Sequence, residues 1–122
     1  MAELVMTRKI WVFSDDLVMG SRIAACAQEE GLAFERMNRG AVQNLRGTGG
    51  ILFVDLDVGL DRAEAVIRRA LKSRPDAWHI CGFGSHVDYE GLRMLKELGA
   101  DRVVSRARLA SSLRSIIREC LI

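Results

Sequence analysis

Ile51-Leu52-Phe53-Val54-Asp55-Leu56-Asp57 is the stretch from which the fold is read: four apolar residues in a row, then two carboxylates around a leucine. An apolar run this short, preceded by the glycine-rich Gly47-Thr48-Gly49-Gly50 and followed by a helical pattern, reads as a strand buried on both faces. A second stretch has the same form, with Ile10-Trp11-Val12-Phe13 leading into Ser14-Asp15-Asp16. Buried strands separated by helices belong to a parallel α/β sheet, where ligands sit beyond the carboxyl ends of the strands. Carboxylates gathered there repel one another unless a cation or a proton joins them. Two acidic strand ends therefore point to a divalent-metal pocket.

Working outward, strand and helix signals alternate five times. After the strand at 10–13, residues 16–30 predict a helix with Asp15 or Asp16 near its N-cap and Gly31 as its stop. Its inward face is Met19, Ile23, Cys26 and Ala27, at helical spacing. Residues 32–37 predict a weaker strand, and 41–45 at most a short helix before the glycines. Beyond 51–54, a helix from Asp61 to Ser73 turns Ala63, Val66, Ile67, Ala70 and Leu71 inward, and Pro75 closes that element. Residues 77–83 predict the fourth strand, and 89–98 a helix with Leu92, Leu95 and Leu98 inward and Gly99 at its end. Residues 102–105 predict the fifth strand, and 109–120 the last helix, with Leu109, Leu113, Ile116, Ile117 and Cys120 inward. The expected fold is α/β and flavodoxin-like: a doubly wound five-stranded parallel sheet in order 2-1-3-4-5 with five helices, the second short. The first and last helices are expected on one face and the other three on the opposite face.

Composition sets the class. The chain has 122 residues, 49% of them apolar and 28% charged, which suits one domain spanning 1–122 with a core over about 8–120. A net charge of +2 is too weak to argue for nucleic acid. No stretch approaches a membrane span, and the N-terminus lacks the apolar region of a secretory signal. Cys26, Cys81 and Cys120 form no CxxC pair and read as small core residues of a reduced, cytoplasmic protein.

Three motifs carry a resemblance that covers most of the chain: Asp55-Leu56 after an apolar strand, Arg74-Pro75-Asp76 before the fourth strand, and Leu98-Gly99-Ala100-Asp101-Arg102-Val103-Val104-Ser105-Arg106 near the end. In order and spacing they resemble the CheY-like receiver domain of bacterial response regulators in two-component systems and phosphorelays. That resemblance implies an acidic pair after the first strand holding Mg²⁺ as cofactor, with Asp15, Asp16 and Asp55 as the candidate ligands. It places the phosphate-accepting aspartate on Asp55 and the switch Thr/Ser on Gly84, with Ser85 next door. It places the lysine on Arg106, its proline on Ala107, and the aromatic that moves with the switch on Val103. Counting back from Gly31 puts the acidic pair on Ser14 and Asp15, and a slip of one residue puts it on Asp15 and Asp16. Asp15 is expected to approach Asp55, with Asp16 nearby and Asp57 turned further out.

These replacements bear on chemistry. Phosphoryl transfer to a carboxylate needs a metal and fixed cations around the phosphoryl oxygens. Arginine is longer, planar and forked, and does not stand in for a point-charge ammonium. Glycine at 84 offers no hydroxyl to a phosphoryl oxygen. The expectation is a non-enzymatic signal-transduction module with impaired or absent aspartyl phosphorylation, acting on a protein partner, either a histidine kinase or a downstream effector. A homodimer through the 89–98 helix, the 102–105 strand and the 109–120 helix is a further expectation; nucleic acid and membrane are not expected partners. One alternative is a working Mg²⁺-dependent phosphoacceptor; another is a small-molecule-binding flavodoxin-like protein. A Rossmann cofactor site would need GxGxxG after the first strand, and the acidic Ser14-Asp15-Asp16 stands there instead. Asp15 and Asp16 also read simply as caps of the first helix, and Asp57 and Asp61 as loop and cap residues. Trp11 and Trp78 read as packing, and His86 as a loop residue. Arg62, Arg68, Arg69 and Lys72 read as a solvated helix face, while Arg106, Arg108, Arg114 and Arg118 could mark a partner surface.

Overall fold

A computed structural model describes residues 9–37, 50–73, 78–85 and 88–121. Its strands are β1 (Lys9–Phe13), β2 (Ala33–Met37), β3 (Gly50–Asp55), β4 (Trp78–Gly84) and β5 (Arg102–Ser105). Its helices are α1 (Leu17–Glu29), α2 (Leu60–Ser73), α3 (Tyr89–Leu98), α4 (Arg106–Ser111) and α5 (Leu113–Cys120). All strand pairs are parallel, in the order β2-β1-β3-β4-β5. This is the doubly wound sheet expected from the apolar runs. The short helix expected at 41–45 lies outside the described residues, as do His86 and Pro75.

Strand alternation sorts the core into two layers. Trp11, Phe13, Leu52, Val54 and Ile80 face α2 and α3, where Ala63, Val66, Ile67, Ala70, Leu92 and Leu95 close the layer. Ile10, Val12, Ile51, Phe53, Cys81 and Phe83 face α1, α4 and α5, where Met19, Ile23, Leu109, Leu113, Ile116 and Ile117 close the other. β1 and β3 are central and buried on both sides, which is why they read as unbroken apolar runs. Trp11 and Trp78 pack edge to face, with centroids 6.1 Å apart. The three cysteines are free.

Helix ends follow local chemistry. Asp16 caps α1 by accepting the Met19 N–H at 2.9 Å, and Gly31, with φ of 74°, turns the chain where a side chain would be strained. Asp88 caps α3 through the Gly91 N–H at 3.0 Å. The last helix departs from expectation. It starts at Arg106 directly after β5, with the Ser105 hydroxyl accepting the Arg108 N–H at 3.0 Å, and it breaks at Ser112. The inward positions survive the break because Leu109 and Leu113 stay buried on either side of it. Arg114 and Arg118 of α5 pair with Glu29 and Glu30 at the end of α1, so these two arginines tie helices together. Among the described residues, no helix is long and apolar enough to cross a membrane.

Candidate functional site

The carboxyl ends of β1, β3, β4 and β5 converge on one cluster. Asp55 ends β3 and is 2% exposed, so its carboxylate must be satisfied by protein groups. Its Oδ2 accepts the Ser14 hydroxyl at 2.6 Å. Its Oδ1 accepts the Asp57 N–H at 2.9 Å, capping the 3₁₀ turn at 56–58, and also accepts Arg106 Nη2 at 2.7 Å. The Arg106 fork continues outward: Nη2 also donates to Asp57 Oδ2 at 2.8 Å, and Nη1 donates to Asp16 Oδ2 at 2.6 Å. The guanidinium lies over the Phe83 ring, 5.1 Å from its centroid. Burial works against the charge on Arg106, but hydrogen bonds to Asp55 and Asp57 outweigh it and hold the group above its ordinary range. One cation thus joins three carboxylates drawn from the β1–α1 turn, the end of β3 and the turn after it.

The turn after β1 decides which expected residues take part. Ser14 continues the strand's inward side and is buried, Asp15 is exposed, and Asp16 comes back toward the site. The Ser14 hydroxyl also accepts the Asp16 N–H at 3.0 Å, so the serine holds the turn as well as the carboxylate. Asp16 and Asp55, both candidate metal ligands, meet at Arg106, and Ser14, one of the positions counted for the acidic pair, donates to Asp55. Asp57 is exposed, as expected for a loop residue, yet it is a partner of Arg106. Among the described residues, no three carboxylate, imidazole or thiol groups are placed to share a metal ion.

Gly84 ends β4, opposite Ser105. A Cβ there would stand 3.1 Å from Leu56 Cβ and 3.7 Å from Asp57 Oδ1, so the space beside it is already taken. The Leu56 side chain also covers Gly91, at the start of α3, where a Cβ would fall 2.4 Å from Leu56 Cδ2. Leu56 is a buried wedge between the ends of β3, β4 and α3. Val103 is half-buried and packs on the α2–α3 side. Leu56 and Phe83 were not anticipated as site residues. The strand register pairing Phe83 with Asp55 brings that ring under the guanidinium, and no sequence motif marks it. His79, half-buried near the other end of β4, is kept below its ordinary titration range by burial, and its buried Nε2 has no hydrogen-bond partner.

No protein-family model matches the chain, and no curated protein matches it. Solved structures do. A response regulator from Thermotoga maritima superposes with a TM-score of 0.78 at 16% identity, covering 95% of this chain and 98% of that one. The BeF3-activated DrrB receiver domain gives 0.74 at 18% identity, with the same coverages of 95% and 98%. An atypical orphan response regulator, described as having a phosphorylation-independent regulatory mechanism, gives 0.69 at 14% identity, covering 93% and 94%. With its parallel 2-1-3-4-5 sheet and its acidic cluster at the strand ends, the chain has the fold of the CheY-like receiver domains of response regulators.

Proposed function

We propose that this protein is a receiver-like signalling module that works by binding a protein partner, and that its state is not set by aspartyl phosphorylation. The observation that carries the reading is the engagement of Asp55. Both of its oxygens already accept hydrogen bonds from protein donors, and the space beside Gly84 is filled by Leu56. A phosphoryl group on Asp55 would have to break the Ser14 or Arg106 contact and would find no hydroxyl at 84 to engage. With no hydroxyl at 84 and no aromatic at 103 to move with a phosphoryl group, phosphorylation lacks the differential contacts by which it would shift a population. The likeness to the orphan regulator with a phosphorylation-independent mechanism is in keeping with this reading.

The partner is a histidine kinase or a downstream effector in the cytoplasm, and the module regulates rather than catalyses. We place docking, of that partner or of a second copy, on the face made by α3, β5 and α5. There α3 carries the exposed Tyr89 and Met94, and β5 is linked to α5 by the Arg102–Glu119 ion pair. The test is incubation with acetyl phosphate and Mg²⁺, followed by intact-mass analysis and phosphate-affinity electrophoresis, with Asp55→Asn as control. The expected result is no labile adduct. Phosphorylation at Asp55 accompanied by a change in oligomeric state would overturn the proposal and favour the working phosphoacceptor.

A further inference from the structure

The fold implies a divalent cation at this end of the sheet, and the residues present do not fit one. Such an ion would sit about 2 Å from Asp55 Oδ1, and Arg106 Nη2 already holds that oxygen at 2.7 Å. We infer that Arg106 is the resident cation of the site: a tethered guanidinium that takes the place of a divalent ion, and whose removal uncovers a cation site formed by Asp16, Asp55 and Asp57. The inference deepens the reading above in placing the functional site at Asp55, but it does not depend on whether that residue can be phosphorylated.

Geometry carries it. The three carboxylates stand 90, 51 and 49 residues from Arg106 in sequence, and its fork donates to all of them. The division of labour suits a guanidinium and no other side chain. Nη1 takes Asp16, while Nη2 bridges Asp55 and Asp57, an arrangement that needs donors in a fixed plane. Local structure aims it: Arg106 opens α4 immediately after the cap at Ser105, and Phe83 supports the flat face of the guanidinium. The link also fastens the β5–α4 turn to the β1–α1 turn and to β3. These strand ends are therefore held together without a soluble cofactor.

Electrostatics sets the consequence of removing the guanidinium. With the guanidinium between them, the three carboxylates are not placed to share an ion; without it, they repel one another unless a proton or a cation draws them together. Hard divalent ions with oxygen ligands are the ordinary cation for such a set. Arg106→Met removes the charge while keeping an apolar stem to lie on Phe83. In that variant a metal no longer competes with charge-assisted hydrogen bonds, each worth about a factor of ten or more.

The test is a Mn²⁺ titration read by electron paramagnetic resonance, with Mg²⁺ calorimetry in parallel, on the folded wild type, Arg106→Met and Arg106→Met/Asp16→Asn. The expected result is one saturable site in Arg106→Met, about tenfold or more tighter than any binding by the wild type. The double variant should lose that gain. Wild type binding Mg²⁺ as tightly as Arg106→Met would overturn the inference, as would a folded Arg106→Met that binds no better. If Arg106→Met does not fold, the wild type decides alone. Mn²⁺ that broadens the amide resonances of Ser14, Asp55 and Asp57 at micromolar concentration refutes a resident guanidinium, and its failure to do so supports one. Acetyl phosphate tests the proposed function separately, so wild type that binds Mg²⁺ yet stays unphosphorylated sinks only this inference.

Discussion

Ser14→Ala removes one oxygen atom and tests the whole construction of the site. The hydroxyl makes two bonds at once, donating to Asp55 Oδ2 at 2.6 Å and accepting the Asp16 N–H at 3.0 Å. Asp55 is 2% exposed, so water cannot readily replace the lost donor. A hydrogen bond to a charged group contributes about 1.5–3 kcal/mol, and a neutral one about 0.5–1.5 kcal/mol. The second bond is only partly buried, and its N–H regains some solvation in the variant. The expected loss is therefore about 2–4 kcal/mol, a large part of the ~5–15 kcal/mol stability typical of a domain. Urea denaturation followed by circular dichroism would read it as a lower midpoint at an unchanged slope. Ser14→Thr, which keeps the hydroxyl, should recover most of the loss if the added methyl is accommodated. A Ser14→Ala variant within about 0.5 kcal/mol of wild type, the range of ordinary surface changes, would refute the claim that Ser14 satisfies Asp55.

Two other expectations concern the wedge and the thiols. Gly91→Ala places a Cβ 2.4 Å from Leu56 Cδ2, which is buried, and 2.7 Å from Oδ2 of the capping Asp88, so overpacking should cost about 1–3 kcal/mol. Leu56→Ala relieves the first contact and leaves the second, so a double-mutant cycle read by urea denaturation should show favourable coupling that recovers part of the loss, and additive losses would exclude the wedge. Burial pushes the Cys120 thiol from 9.0 up to about 11, so the folded state keeps its proton where the unfolded chain loses it. The unfolded state then binds fewer protons over this window, and stability should be full below pH 9.0 and fall as pH rises towards about 11. Cys120→Ala should flatten that decline in denaturation curves taken across the window, and an unchanged slope would assign it to another group.

Local patterns were enough to place the sheet and its helices. Four-residue apolar runs at 10–13 and 51–54 are buried on both faces, and the inward positions of α1, α2 and α5 follow helical spacing. These features depend on neighbours a few residues away, which is what periodicity reports. The ends of elements were less legible. The start of the last helix at Arg106 and its break at Ser112 depend on a cap and on how two short helices pack over β5, and residue spacing alone carries neither.

The sequence by itself determined that Asp55 ends a central buried strand, that Gly84 stands at the end of another and that Arg106 directly follows a third, all at the same edge of the sheet. Strand polarity and chain order leave no other place for them. Only the tertiary structure decided what those residues do to one another. Whether Ser14, Asp15 or Asp16 turns toward Asp55 depends on the path of a single turn, where a slip of one residue exchanges inside for outside. The reach of Arg106 to carboxylates 49, 51 and 90 residues away depends on the register of five strands at once. The same registers bring Leu56 over two glycines that the sequence presents as unrelated. An acidic site reads in sequence as a demand for a cation; only the folded chain shows that the cation is already there, because electrostatic satisfaction is a property of distances in space and not of positions along the chain.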